Sequence, residues 1–464
     1  MRARRLSAAL TFVAVAIALG DDGGYSGNSR LAFAVAAFAA LGAAVAADRE
    51  RAGRLARTPL LWVLVALGAL GALSALWTVG IRSDAWHWGL TTAAYAALIL
   101  AAAVLIRDGR DVVRAATMLA GAAIGMGIVG LVGATETIVP YAHREAGRWR
   151  PASTFQYSPA LALLMVSVLP VLVTAMARSK RPAVAAFWAA GGAVAAAVLA
   201  LAESRTQLGF AAVVGAAAIV VDRRHLPPIA LLAGSGLVTY AVAGAYIPVT
   251  PAPDGTARLL AVSAVIAGTA LAWLGVHAAL ARGVPVAALV AALLAAGGIA
   301  AIAKPAPRII ASGVGHAPKH PRAPAHRLHP VRDQLLHGRL KIWEGAIDTF
   351  ADRPLKGGGA DSYLFASARH QGTRTVLYAH QLPLELAAEL GIAGLLLALA
   401  LYGTAGRVLW RTRRVPGVWL VWPAAAAFLC ANLVDWPWHL AGTGAVWAVA
   451  VGALLGSSAT QAGH

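Results

Sequence analysis

The sequence predicts an all-α polytopic membrane protein, and three observations lead there. First, 59% of the 464 residues are hydrophobic, only 13% are charged and 7% aromatic, and the mean hydropathy is +0.69. A soluble globular chain carries roughly 25% charged residues. That excludes an ordinary water-soluble enzyme, and a disordered chain is excluded by the wealth of apolar residues. Second, apolar runs near bilayer length recur from one end to the other. Third, Lys and Arg gather in alternate connecting segments. An open sheet would leave its edge amides unpaired in lipid, so the spanning elements are expected to be helices.

A helix needs about 20 apolar residues to cross a bilayer. Suitable runs cover 6–20, 31–47, 59–77, 88–106, 115–134, 159–177, 183–202, 206–221, 228–247, 259–281, 283–303, 386–406, 416–434 and 438–457. Some are short or adjoin a neighbour, so about 12–14 transmembrane helices are expected. The first follows MRARR and has the look of a signal peptide. No small-residue cleavage site precedes a soluble domain, so it reads as the first span. The expected organisation is a helix bundle over 1–303, an external loop over 304–385 and C-terminal membrane helices over 386–464.

Charge orients these spans. With the N-terminus inside, the inner segments are MRARR, 48–58, 107–114, 178–182, 222–225, Arg282 and 407–414. They hold about half of the 39 Lys and Arg, as cytoplasmic segments do. The short outer loops hold only Arg30, Arg82, Arg144, Arg148, Arg150, Arg205 and Arg258, and long loops are exempt from the rule. Both termini are therefore expected in the cytoplasm. The net charge of +19 is accounted for by orientation and by anionic lipid heads, and calls for no nucleic acid. The lone cysteine, Cys430, excludes a disulfide framework, a cysteine zinc site and a CxxC motif.

The long outer loop falls into parts. Residues 304–331 hold Pro305, Pro307, Pro318, Pro321, Pro324 and Pro330, so the stretch reads as extended. His316, His320, His326 and His329 lie in it without the fixed geometry a metal needs. Over 332–350, Leu336, Leu340, Trp343, Ile347 and Phe350 form one helical stripe. This predicts an amphipathic helix on the outer membrane surface or capping the bundle. The run RPLKGGGADSY then forms a turn.

Arginines on the outside oppose the charge bias, so each asks for a reason. In ESRTQ, Glu203, Ser204 and Arg205 join two spans and pin Arg205 at the interface. It either snorkels or pairs with Glu203, or it binds an anion, since guanidinium matches phosphate bidentately. Arg148 and Arg150 flank Trp149 and pose the same choice, and Arg339 lies on the amphipathic helix. His380 precedes the span from 386 by one turn, and Pro383 suits a helix start. A helix N-terminus disfavours imidazolium, and a neutral imidazole can take a proton from a hydroxyl. The plain alternative is a packed interface histidine. Glu385 and Glu389 share a helical face and either orient this site or satisfy local backbone. The chain has no GxxxxGK[ST], HExxH or GxSxG. His277 is the obvious ionisable residue inside a span, whereas ion-coupled transporters keep carboxylates at the midplane.

The run GRLKIWEGAIDTFADRPLKGGGADSY, followed by AHQLPLELAAELGIAGLLL, resembles the C-terminal signature of the O-antigen ligase and polymerase superfamily, which includes bacterial O-linked oligosaccharyltransferases. The residues that carry the resemblance are Arg339, Trp343, Pro354, Gly357, Gly359, His380, Glu389, Gly391 and Gly394. RPASTFQYSPALA and ESRTQLGF are similar to two upstream segments of that family. Gln381 stands where the family usually has Asn, and Tyr157-Ser158-Pro159-Ala160 lacks its asparagines.

The resemblance implies a GT-C-type, inverting, metal-independent membrane glycosyltransferase without a cofactor. It would work on the periplasmic face of a bacterial inner membrane. The donor would be an undecaprenyl-diphosphate-linked glycan, and the acceptor a hydroxyl of lipid A-core or another molecule. His380 would be the general base, and Arg150, Arg205 and Arg339 would hold the donor diphosphate, with Glu389 and Trp343 in support. A charge-rich outer loop suits an anionic acceptor, which favours a ligase over a polymerase or a protein glycosyltransferase. Two rivals stand. In another GT-C branch an acidic pair in the first external loop works, and Asp21-Asp22 sits there; its plain reading is a polar turn beside Gly23-Gly24. The other is a transporter or flippase for lipid-linked glycans, whose marks would be internal repeats and midplane charges.

Overall fold

The computed structural model describes residues 2–145, 148–243, 255–287, 338–371, 375–415 and 417–461. Their helices are α1 (Arg2–Gly20), α2 (Gly27–Ala47), α3 (Arg49–Leu55), α4 (Pro59–Leu73), α5 (Arg82–Leu105), α6 (Gly109–Glu136), α7 (Ser158–Arg178), α8 (Pro182–Ala202), α9 (Arg205–Val221), α10 (Leu226–Ala243), α11 (Gly255–Ala281), α12 (Arg339–Asp352), α13 (Tyr363–Ala366), α14 (Leu382–Thr412), α15 (Trp422–Ala431) and α16 (Ala441–Gln461). Among the described residues, 11 helices are long and apolar enough to cross a bilayer, and α9 and α15 belong to shorter apolar helices. The chain is thus an all-α polytopic membrane protein. Most of the candidate span 283–303 and all of the His-rich 316–329 stretch lie outside the described residues. One antiparallel pair interrupts the helices, β1 (Ala142–Glu145) with β2 (Arg148–Pro151), and sets His143 opposite Arg150.

The helix starts follow local chemistry. The Asp108 carboxylate accepts from the N–H groups of Arg110 and Asp111, both at 2.9 Å, and so caps α6. Gln381 caps α14 through Leu384 N–H at 2.7 Å, with Pro383 in the first turn. In this chain, then, the residue after His380 starts a helix.

The centre of the bundle is α5 against α16. Gly444, Gly452 and Gly456 let the two backbones meet. A Cβ at Gly444 would lie 2.2 Å from the Tyr95 ring, and one at Gly456 2.2 Å from Ile106 O. Small residues at such a seam replace the hydrophobic drive that lipid does not supply. Tyr95, Phe428, Trp438 and Trp447 fill the space beside it. N-terminal and C-terminal helices share this core, so the described helices before residue 288 and those from 382 onward pack as one body.

The bundle has two distinct ends. At the basic end Arg4 pairs with Asp111 and Arg107 with Asp48, and Arg51 donates to the carbonyls of Ala103, Ile106 and Gly456 where α5 and α16 finish. The loop end gathers residues 21–26, 74–82, 137–145, 148–157, 203–205, 338–371, 375–381 and 432–441.

Two expectations for the loop end are corrected. The amphipathic helix is α12, with 332–337 outside the described residues. It docks on α14 and its neighbours through Ile342, Ala346 and Thr349 rather than through the large apolar stripe. Small residues allow close approach to α14, so Leu340, Trp343 and Phe350 stay half-buried and Ile347 is exposed. The C-terminal helix begins at Leu382 and breaks at Gly391 (φ 64, ψ −154). The Gly run crosses that break. Gly358 N–H donates to Ala388 O at 3.0 Å, Gly359 N–H to Glu389 O, and Ile392 N–H back to Pro354 O at 2.7 Å. A Cβ on Gly391 would lie 2.6 Å from the Leu355 carbonyl, so only glycine fits both the dihedral and the contact.

Candidate functional site

His380 sits at the loop end in a left-handed conformation (φ 54), uncommon for a residue with a side chain. Its neighbours hold it there. Ala379 N–H donates to Glu385 Oε2 at 2.8 Å, and Leu382 N–H to Asn432 O at 2.8 Å. The imidazole Nδ1 lies 3.2 Å from Asp435 Oδ1. The same oxygen accepts from the Tyr157 hydroxyl at 2.7 Å and from Trp436 N–H at 2.9 Å. With an ionised Asp435, Nδ1 carries the proton and Nε2 offers a lone pair. The His380 side chain is 23% exposed and that of Asp435 5%, so a buried carboxylate orients an imidazole that solvent reaches.

Aromatic rings wall this dyad. Trp436 lies against Tyr157 (centroids 4.5 Å) and Tyr378 (4.9 Å), and the Tyr378 hydroxyl meets that of Tyr25 at 2.7 Å. Burial and the Asp435 carboxylate push the Tyr157 hydroxyl up, while Arg339 pulls it down.

Behind the dyad runs a buried charge chain. Arg30 Nη1 pairs with Asp361 Oδ2 at 2.6 Å, and its Nη2 donates to His439 O at 3.3 Å. Asp361 Oδ1 lies 3.1 Å from His439 Nδ1, at ion-pair distance but outside hydrogen-bond geometry. His439 Nε2 meets Glu385 Oε1 at 2.5 Å. Burial would lower the His439 pKa, but the Glu385 and Asp361 carboxylates hold it up at about 9. Burial would raise Asp361, but Arg30 and His439 hold it well below the usual carboxylate range. Glu385 thus links this chain to the backbone that carries His380.

A second cluster lies around the hairpin. Glu203 pairs with Arg148 and, at 3.5 Å, with Arg150; Arg150 also pairs with Glu145 at 2.6 Å. Glu203 and Arg205 lie beside each other where α8 turns into α9. Glu145, Arg150, Glu203 and Arg205 line one end of a cavity of about 900 Å³, whose walls between α7, α8, α9 and α10 are apolar. A polar mouth on an apolar slot suits a ligand with an anionic head and a hydrocarbon tail.

The structure thus brings Arg150 and Arg205 together at one cavity and sets His380 beside Tyr157 through Asp435, while Arg339 opens α12. The strand β2 and the turn after it join the two clusters through the chain from Arg150 to Tyr157. Glu389 and Trp343 lie elsewhere. The Glu389 carboxylate accepts from the N–H groups of Asp361, Ser362 and Tyr363 at 2.8–2.9 Å, so it anchors the Gly loop. Trp343 rides on α12, and its buried Nε1 has no hydrogen-bond partner among the described residues. Asp21 accepts from Ser29 and Asp22 from Gln156 at 2.6 Å, which makes the pair part of a polar turn packed under Phe155. His277 Nε2 lies 3.1 Å from Ser179 O at the basic end.

Sequence reasoning missed Asp435, His439 and Asp361, and treated Arg30 only as a loop charge. Taking His277 as the obvious intraspan charge is also corrected. Arg30 and Glu389, inside apolar helices, are buried to 4% and 0% exposure. One signal was available: the run NLVDWPWH between two spans falls on the same side as His380 by the count of crossings, and it joins acid, imidazole and indole. Compared with protein-family models and with curated proteins, the chain matches none.

Proposed function

We propose that this chain is a membrane glycosyltransferase of GT-C type, which moves a glycan from undecaprenyl diphosphate to an acceptor hydroxyl on the outer face of a bacterial inner membrane. The observation that carries the reading is the His380–Asp435 pair. A buried carboxylate holds Nδ1 and leaves Nε2 directed away from its partner, as a general base requires. Nε2 takes the proton of the acceptor hydroxyl. The hydroxyl oxygen then bonds to the anomeric carbon from the face opposite the leaving group, and the C–O bond to the diphosphate breaks with its electron pair.

Arg150, Arg205 and Arg339 hold the diphosphate and offset the charge that grows on it. The cavity beyond Arg150 and Arg205 accommodates polyprenyl. The acceptor most consistent with the charge-rich outer loop is a core lipopolysaccharide, making the enzyme an O-antigen-ligase-like transferase.

The test is purified full-length protein with undecaprenyl-diphosphate-linked glycan and candidate acceptors, without added metal. Glycan joined to a core lipid is expected, falling about 10²–10⁴-fold in His380→Ala. Asp435→Asn loses orientation of the base, and a drop of about 10- to 100-fold in kcat is expected from one hydrogen bond to a charged group. Full transfer by His380→Ala overturns the catalytic role. A ladder on the carrier lipid makes the protein a polymerase, and movement of the donor across vesicles without a new glycosidic bond makes it a transporter.

A further inference from the structure

At the basic end, remote from His380, a lateral groove opens between α1 and α6. Its volume is about 660 Å³. Ala8 and Phe12 of α1 face Ala115 and Met118 of α6 across it, and Ile106 and Val449 lie at its floor. Phe12 and Met118 are half exposed on the outer side of the bundle. The groove therefore meets the hydrocarbon that surrounds the helices. From Arg4 to Val15, both lining residues, the α1 wall rises about 16 Å at 1.5 Å per residue. That is the depth of one leaflet of a hydrocarbon core about 30 Å thick.

The mouth is basic. Arg4, Arg5, Arg107, Arg110 and Arg114 surround it, with Asp108 and Asp111 as the acids. Those acids are already engaged. Asp111 pairs with Arg4 at 2.9 Å and Arg114 at 3.1 Å, and Asp108 caps α6. Arg107 pairs with Asp48. Arg5 and Arg110 reach no carboxylate at ion-pair distance among the described residues. Two buried polar atoms on the groove's lining residues, Thr11 Oγ1 and Arg107 Nε, have no hydrogen-bond partner there either.

We propose that this groove binds one anionic glycerophospholipid. Its phosphate sits among Arg5, Arg107 and Arg110, and an acyl chain lies between α1 and α6. Basic pockets between membrane helices recognise anionic head groups in this way. Leaflet-deep apolar walls select a lipid over free phosphate, and the charge at the mouth selects an anionic head over a zwitterionic one. The site stands independently of the transfer reaction at the other end.

The experiment is native mass spectrometry of the delipidated full chain in detergent. It is titrated with palmitoyl-oleoyl phosphatidylglycerol, with phosphatidylcholine of the same chains, and with inorganic phosphate. One phosphatidylglycerol is expected to stay bound, and Arg5→Gln with Arg110→Gln weakens it about tenfold or more. Ala8→Trp fills the groove, keeps every arginine and removes the bound lipid. It decides alone if the arginine variant does not fold. Equal affinity for the two lipids, no retained lipid, undiminished binding in the variants or displacement by inorganic phosphate overturns the proposal.

Discussion

Between Asp361 and Glu385, His439 has a carboxylate beside each ring nitrogen, and both favour the imidazolium. Its pKa stands at about 9 in the folded chain, against roughly 6.5 for a free side chain. A raised histidine contributes stability that is complete below the unfolded value and is lost as pH rises through the folded one. The His439 contribution in detergent is therefore expected to be complete below about pH 6.5 and to fall by on the order of 3 kcal/mol as pH climbs past 9. Melting curves across that range check it, and His439→Gln removes the slope. A flat wild-type profile from pH 6.5 to 9 contradicts the charge chain. At this scale the sequence exposed His380, because an ionisable group one turn before an apolar run needs a reason, whereas Arg30 was read only as a loop charge. Their partners stayed hidden because Asp361 is 331 positions from Arg30, and Asp435 is 55 from His380. No local pattern links such positions.

The Gly run and the Glu-x-Gly segment act as a single element, because the turn over 354–363 fills the break in α14. Glu389 holds three successive N–H groups of that turn, and Gly391 lets the helix backbone step aside. Glu389→Gln replaces two acceptor oxygens by an amide that offers one oxygen and two unwanted donors. A loss of about 3 kcal/mol is expected, together with protease sensitivity in the 354–371 segment. Gly391→Ala adds a methyl where the Leu355 carbonyl already lies and forces a dihedral that glycine alone adopts freely. It is expected to cost at least as much. Thermal melts and limited proteolysis measure both, and wild-type behaviour in Gly391→Ala would show the break to be dispensable. The turn was legible from the glycines and α12 from its period. The docking face of α12 was not, since periodicity marks the large apolar residues. A helix seated closely on another helix buries its small residues and leaves large ones half-buried beside the contact.

Over the whole molecule, the apolar runs were the most legible feature, because length and hydropathy are what a bilayer demands of a helix. The hairpin of β1 and β2 was not legible, being too short and too charged to show an alternating pattern. The division of charge between the two ends follows the expected bias, and it yields a test of orientation on which the proposed reaction depends. Ser83 is exposed at the loop end, and Gly53 is exposed at the basic end with nothing within 4 Å of an added side chain. In a Cys430→Ala background, Ser83→Cys is expected to react with a membrane-impermeant maleimide in intact spheroplasts. Gly53→Cys is expected to react only after permeabilisation. Ser83 lies on the same end as His380, since Gly80 packs against Ser362 and the turn that Glu389 holds. Labelling at Ser83 from outside therefore puts His380 on the side of the membrane that the proposed transfer requires. The reverse pattern would place His380 in the cytoplasm and remove the external transfer reaction, while leaving the bundle, the charge chain and the lipid groove as they stand.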